Sequence, residues 1–309
     1  MTPRKWNRRQ IIAAGAVLGA APGIPIKIAI GKEPSPMRRS SIPATGETLP
    51  VIGLGTYIAF DVDSTPSAIK QRKYIVDLMI EHGGSVIDTS PMYNRSEKVI
   101  GDIIAAGSDR SKLFLATKVW SDRQAAGAAQ MQRSVELMNS GTIDLMQVHN
   151  LRDTAVHMAS IRRLQDEGHV RYSGLTHYTA AALHSLEKEM RLYKPDFIQI
   201  NYSLGEREAA ERILPIAKDM GIAVLINRPF QSGALFRAVA NRQLPDWSAD
   251  IATSWGQFFL KFIISHPAVT CAIPATAKPH HLIDNLGAGL GKLPDHAMRN
   301  RMADYFTSI

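Results

Sequence analysis

The chain has 309 residues, 45% of them hydrophobic, and a formal net charge of +8. That length accommodates one barrel-sized domain of about 250 residues together with a leader. The charge is concentrated at one end: residues 1–40 carry +7 and the rest of the chain only +1, so the body lacks the basic face that a nucleic-acid partner would need. Cys271 is the only cysteine, which excludes an intrachain disulfide and leaves the redox compartment open.

Arg8-Arg9 precedes an uncharged, Ala- and Gly-rich run from Ile11 to Ile26. A charged start followed by a mildly apolar stretch reads as a twin-arginine export signal, and hence as an exported or periplasmic protein that meets the twin-arginine machinery. The run holds Pro22 and Pro25 and is shorter than the roughly 20 strongly apolar residues a spanning helix wants. Ala29-Ile30-Gly31 offers small residues for cleavage. The alternative is a disordered basic extension on a cytoplasmic protein.

A Pro-, Ser- and Arg-rich linker is expected at about residues 32–42, dividing a leader (1–40) from the folded body (41–309). Ser41–Leu49, centred on Thr45-Gly46, reads as a short hairpin able to plug the bottom of a barrel. Strands are expected at Val51–Thr56, Ser85–Asp88, Leu113–Lys118, Leu145–His149, Val170–Leu175, Phe197–Asn201, Ala223–Asn227 and Thr270–Pro274. Each is followed by a segment of helical periodicity, such as Ser67–His82 after the first and Glu206–Met220 after the sixth. Alternating β and α with buried, non-alternating strands argues a parallel sheet covered by helices. Eight repeats, with no Gly-x-Gly-x-x-Gly after a strand, argue an α/β fold of the closed (β/α)8 TIM-barrel type rather than an open sheet. In the last strand Cys271 reads as an inert core thiol.

Asp88, Tyr93, Lys118 and His149 lie at or just past the ends of three of these strands. The C-terminal strand ends of a parallel barrel open on one face, so an acid, a phenol, an ammonium and an imidazole converge there. Such a cluster donates protons. Its alternative is structural: a buried Asp88–Lys118 ion pair, with Tyr93 and His149 filling the barrel mouth.

The run Gly53-Leu54-Gly55-Thr56, Ile87-Asp88-Thr89-Ser90-Pro91-Met92-Tyr93, Thr117-Lys118-Val119-Trp120 and Gln147-Val148-His149 resembles the aldo-keto reductases. So do Ser173-Gly174-Leu175-Thr176-His177-Tyr178, Gln199-Ile200-Asn201-Tyr202 and Ile273-Pro274-Ala275-Thr276 with Asp284-Asn285-Leu286. The resemblance covers about residues 41–292. It implies a nicotinamide-dependent oxidoreductase that reduces an aldehyde or ketone, or runs in reverse. Tyr93 would be the proton donor, Lys118 the ammonium that lowers its pKa, Asp88 the carboxylate that keeps Lys118 charged and oriented, and His149 a second hydrogen-bond donor orienting the carbonyl.

Carried over by position, the resemblance assigns the nicotinamide carboxamide to Thr176, His177 and Gln199, and cofactor contacts to Gly55 and Thr56. Where many members carry an aromatic residue that stacks on the nicotinamide, this chain has Asn227-Arg228-Pro229-Phe230. Arg228 would lie over the ring or pair with the pyrophosphate, or else be a surface arginine at the rim. Thr276, Lys278, His281 and Asn285 are the candidates around the adenosine. Ala275 replaces the family's usual lysine, but Thr276 keeps the following hydroxyl and Lys278 is placed to supply the charge, so NADP(H) stays favoured, less strongly than in a full match, with NAD(H) possible. His280-His281 is not read as a metal site, because adjacent side chains on a helix do not share a face.

Tyr57, Trp120, Asn150 and Trp247 are candidate substrate walls, or ordinary barrel packing. The short loop Asn150–Thr154, the long loop Phe230–Trp247 and a short tail predict an open pocket for a small-molecule carbonyl or alcohol. A second class of function is a nucleotide-binding regulatory or redox-sensing subunit on the same barrel with little turnover. If the leader directs export, a tightly held cofactor recycled in place would meet the lack of fresh reduced nicotinamide outside the cytoplasm.

Overall fold

The computed structural model describes residues 36–309, so the leader, its twin arginines and its cleavage site lie outside the described residues. The described chain opens with an antiparallel hairpin, β1 (Arg39–Ser41) and β2 (Thr48–Pro50), with Ser40 opposite Leu49. The hairpin is thus wider than Ser41–Leu49, and β1 takes up the end of the expected linker.

Eight parallel strands follow in sequence order: β3 (Leu54–Gly55), β4 (Val86–Asp88), β5 (Phe114–Val119), β6 (Ile143–His149), β7 (Val170–Thr176), β8 (Phe197–Asn201), β9 (Ala223–Asn227) and β10 (Cys271–Ala272). Each pairs with the next, and parallel bridges Ile52 to Ala272 and Gly55 to Ala275 close the ring. This is the expected (β/α)8 barrel. The first and last strands are shorter than Val51–Thr56 and Thr270–Pro274, because the seam is held by isolated bridges rather than a continuous ladder.

Helices α1 (Pro66–Glu81), α2 (Ser96–Ala105), α3 (Gln124–Met138), α4 (Thr154–Asp166), α5 (Leu183–Tyr193), α6 (Ile213–Asp219), α7 (Ala234–Ala238), α8 (Trp255–Ile264), α9 (Pro279–Gly287) and α10 (His296–Thr307) surround the barrel. Capping sets several starts. The Thr65 hydroxyl accepts from Ala68 N ahead of Pro66, Ser254 caps α8, and Asp295 caps α10, each satisfying an orphan backbone donor. The single helix expected over Glu206–Met220 is instead a 3-10 turn, Glu208–Ala210, followed by α6. None of the described helices is long and apolar enough to cross a membrane.

The period of two along each strand positions the site. Residues of the barrel interior form one apolar cluster: Val86, Phe114, Ala116, Leu145, Tyr172, Phe197, Ala223, Leu225, Cys271 and Ile273, joined by Ile42 and Leu49 of the hairpin. The hairpin therefore plugs the N-terminal end of the barrel. Continued by steps of two toward the C-terminal ends, the same inward rows become polar: Val86 leads to Asp88, Ala116 to Lys118, Leu145 to Gln147 and His149, Phe197 to Gln199 and Leu225 to Asn227. Gly174 leaves room for this polar layer, since a Cβ there would stand 2.7 Å from Gln147 Cγ. Cys271 is fully buried, and burial pushes its thiol far up, as expected for an inert core position.

Candidate active site

Asp88 and Lys118 sit across the β4–β5 step as a pair almost sealed from water, with side chains 3% and 1% exposed. Burying two charges is costly unless every lone pair and proton is engaged. Here Asp88 Oδ1 accepts from Lys118 Nζ at 2.7 Å, while Oδ2 accepts from Gln199 Nε2 at 2.7 Å and Gln147 Nε2 at 3.3 Å. Lys118 Nζ also donates to Thr89 O at 2.7 Å. Two of its three N–H groups are thereby used, and the third is left for Tyr93, whose ring centroid lies 4.9 Å from Nζ.

Tyr93 stands between Tyr57 and His149, with ring centroids 5.1 Å and 6.3 Å away, both edge to face. Burial pushes its phenol above the ordinary value of 10; the Lys118 ammonium pulls it down and the Asp88 carboxylate pushes it up. The expectation that Lys118 lowers this pKa is thus right in sign for that one interaction, but desolvation outweighs it. Burial also opposes the Lys118 ammonium, yet Asp88 and Tyr93 overcome it, and the net shift is upward. His149 is driven down to about 3, first by burial and then by the Lys118 and His177 charges, so its imidazole is neutral at physiological pH.

These groups open into a pocket of about 770 Å³ lined by Gly55, Thr56, Tyr57, Asp88, Met92, Tyr93, Trp120, His149, Asn150, Thr176, Tyr178, Gln199, Asn227, Arg228, Phe230 and Ala275, among others. Of twelve non-glycine residues with positive φ among the described residues, nine lie on the loops that leave the C-terminal strand ends: Ile58, Asn94, Arg123, Asn150, Leu151, Asp153, Arg228, Gln231 and Ser232. Strain concentrated on that face is the pattern of a functional site. Thr56 Oγ1 donates to Asp88 O, fastening the first loop to β4. The Arg152 guanidinium lies 4.2 Å from the Trp120 ring and pairs with Asp122.

Not every expected residue joins this pocket. Trp247 is not a wall of it. The loop after β9 folds back through α7, and Trp247 packs on Phe258 and Tyr305, each 5.9 Å away, beneath Arg301. His177 does not line the pocket either; its Nδ1 accepts from Tyr178 N at 3.0 Å and Thr179 N at 3.3 Å. Gln199 lines the pocket but is already engaged at both ends, by Asp88 and by Thr176 Oγ1 at 3.3 Å. Arg228 lines the rim, donates to Tyr178 O at 3.3 Å and has φ 47°. Thr276, Lys278, His281 and Asn285 gather at the start of α9 and along it; Thr276 Oγ1 accepts from Lys278 N. Burial lowers His281, with His280 and Lys278 adding to the effect.

A nicotinamide ring carrying a carboxamide needs acceptors for an amide N–H, and the pocket wall holds them. Asn227 Oδ1 is buried without a partner, while its Nδ2 donates to His177 O. Thr176 Oγ1 keeps lone pairs free beside it. The group fits the residues present. Sequence reasoning assigned no role to Ser90, Gln147, Met92 or Tyr178. A strand-period signal was available for Gln147, two residues before His149, and for Ser90, two residues past Asp88. Met92 and Tyr178 lie on loops and carried none.

A (β/α)8 barrel with a Tyr-Lys-Asp-His proton-donating cluster at its C-terminal mouth defines a carbonyl-directed oxidoreductase class. The model of the aldo/keto reductase family matches residues 51–301, and the chain belongs to that family. The chain is 29% identical to aldo-keto reductase YhdN of Bacillus subtilis over 208 residues, 62% of this chain and 61% of that protein. It is 25% identical to glyoxal reductase of the same organism over 247 residues, 78% of this chain and 83% of that protein. Among solved structures, an aldo/keto reductase from Klebsiella pneumoniae in complex with NADP and acetate superposes with a TM-score of 0.70 at 21% identity, covering 84% and 93% of the two chains. The thermostable aldo-keto reductase Tm1743 superposes at 0.73 with 21% identity, covering 87% and 100%.

Proposed function

We propose that the protein reduces an aldehyde or ketone to the alcohol with NADPH, and that Tyr93 delivers the proton to the carbonyl oxygen. The observation that carries this reading is the arrangement around Tyr93: a phenol held protonated by burial, backed by a fully engaged Lys118–Asp88 pair and faced by a neutral His149. When bound, the nicotinamide supplies the hydride. Asn227 Oδ1 and Thr176 Oγ1 hold its carboxamide, and Arg228 at the rim meets its phosphates. Lys278, at the start of α9, carries the charge for the adenosine 2′-phosphate, because His281 is shifted toward its neutral form.

His149 and Tyr93 bracket the carbonyl oxygen from two sides, so that charge developing on it meets two donors rather than water. Lys118 offsets the phenolate left when Tyr93 has given up its proton, and Asp88 keeps Lys118 charged and in place. The entrance is apolar. Tyr57 and Tyr178 line the pocket yet are 58% and 46% exposed, and exposed Met92 and half-exposed Trp120 line it too, which suits a carbonyl compound with an apolar body.

The test is a fluorescence titration of the protein lacking residues 1–35 with NADPH and NADH, followed by cofactor consumption on a panel of aldehydes. Tighter NADPH binding with turnover supports the reading. Tight binding without turnover on any carbonyl replaces it with a regulatory or sensing role. The Arg8-Arg9 leader supports export by the twin-arginine route with the cofactor retained and recycled in place. N-terminal sequencing of the exported fraction checks the first part, and an intact Met1 in a purely cytosolic protein rejects it. Nucleotide released on denaturing the purified protein checks the second, and a nucleotide-free, rapidly exchanging protein rejects that.

A further inference from the structure

We propose that Ser90 is a positioning residue that fixes the proton of His149 on Nε2, the nitrogen offered to the substrate carbonyl. Ser90 lies two residues past Asp88, is fully buried, and its Oγ stands 3.1 Å from His149 Nδ1. The same Oγ accepts from Met92 N at 3.2 Å. Those are the only partners of the hydroxyl among the described residues, and both bear on one proton.

A serine hydroxyl has one hydrogen and two acceptor sites, and a neutral imidazole has one donor nitrogen and one acceptor nitrogen. With Met92 N–H occupying a lone pair, the hydroxyl proton has a single acceptor within reach, His149 Nδ1. If Nδ1 carried the imidazole proton instead, two N–H groups would converge on Oγ and the serine proton would be buried with no acceptor. The self-consistent arrangement runs from Met92 N–H to Ser90 Oγ, and from Ser90 O–H to His149 Nδ1. Nε2–H is then left to face the pocket that His149 lines. The depressed pKa of His149 agrees, since an imidazolium would have no tautomer to choose. Tyr93 N, donating to Ser90 O at 2.9 Å, ties the same residue to the turn that carries the proton donor.

The inference rests on the carbonyl-reductase reading for its consequence, but its physical content stands apart from turnover. The direct measurement is the ring nitrogen spectrum of His149 in the 15N-labelled protein, assigned by its loss in His149→Gln. The expected result is a pyridine-like Nδ1 and a protonated Nε2. In Ser90→Ala, loss of the donor at Nδ1 should give mixed or reversed tautomers and lower kcat/KM for an aldehyde by about tenfold, with NADPH affinity unchanged. A protonated Nδ1 in the wild-type protein overturns the proposal whatever the variant does. So does a Ser90→Ala protein that keeps both the Nε2–H tautomer and wild-type kcat/KM. Failure of the wild-type protein to reduce any carbonyl would instead sink the functional reading and leave the tautomer result standing.

Discussion

Among the described residues, the barrel strands bury one carboxylate near each of their two ends, and the two are handled differently. Asp144, at the N-terminal end of β6, accepts from Arg171 Nη1 at 2.7 Å, Arg110 Nη2 at 2.9 Å and Leu115 N at 2.8 Å. Arg110 also donates to Ser140 O, Leu113 O and Thr142 O, and Arg171 reaches on to Glu47 of the hairpin. Tyr172 closes the network by donating to Glu47 at 2.6 Å. These bonds make a clamp between hairpin and barrel. At the C-terminal end, Asp88 is as thoroughly bonded, but its lysine retains one N–H for a phenol that can give a proton up. The difference is between a network of ion pairs that ties two parts of the fold together and one that ends on a phenol lining the pocket, where it can do chemistry.

Removing the phenol proton tests that contrast most severely. Tyr93→Phe keeps the ring and its packing and should slow carbonyl reduction by about a thousandfold, the loss of a general acid, with NADPH binding intact by fluorescence titration. Unchanged turnover would move the proton donor elsewhere. At the other end, Asp144→Ala leaves Arg110, Arg171 and Leu115 N without their acceptor and should cost about 3 kcal/mol of stability, read as a lowered urea midpoint. Its kcat/KM, measured where the variant is folded, should stay within about twofold of wild type. A large catalytic defect with little loss of stability would erase the division between the two ends.

Acid should reveal the open end through His149. Its folded pKa of about 3 lies below the ordinary 6.5, so the unfolded chain takes up a proton that the folded one refuses. The neutral ring's contribution is present in full above pH 6.5 and is lost as the pH falls toward 3. By pH 4.5 that loss is on the order of 2 kcal/mol. Urea unfolding of wild type and His149→Gln at pH 7 and pH 4.5 isolates it as the difference between the two proteins, and identical slopes would show that the imidazole is not held neutral.

The alternation of strand and helix was legible from the apolar runs, and three of the four site residues from the backbone period; Tyr93, on the loop after β4, was legible only through the family's Asp-to-Tyr spacing. Inward positions recur every two residues, so Asp88, Lys118 and His149 had to share a face once the barrel was assigned. The same reasoning reaches Gln147, which the structure bonds to Asp88. Trp247 and His177 were not legible. Each lies on a loop, where direction is set by local bonds that no period predicts: a fold back through α7 for Trp247, and two backbone N–H groups capturing Nδ1 for His177. The balance at Tyr93 was hidden for another reason. The sequence displays a lysine and an aspartate beside the phenol but not how little water reaches them, and desolvation is the larger influence.

The smallest expected effect lies at the rim, where charge is exposed and screened. With alanine at position 275 and His281 shifted toward neutrality, the proposed reading assigns selection of the 2′-phosphate to Lys278, which also stands at the N-terminus of α9 where backbone N–H groups favour an anion. An exposed ion pair of this kind is worth about 1 kcal/mol, and in this setting the helix terminus shares the load. Lys278→Ala should therefore weaken NADPH binding by about five- to tenfold and leave NADH binding unchanged, converting a preference into near indifference. Equal losses for both cofactors would mean that Lys278 serves the shared diphosphate. No loss for either would leave the helix terminus as the whole of the phosphate site, and the contrast between a committed interior and a weakly held rim would then be sharper still.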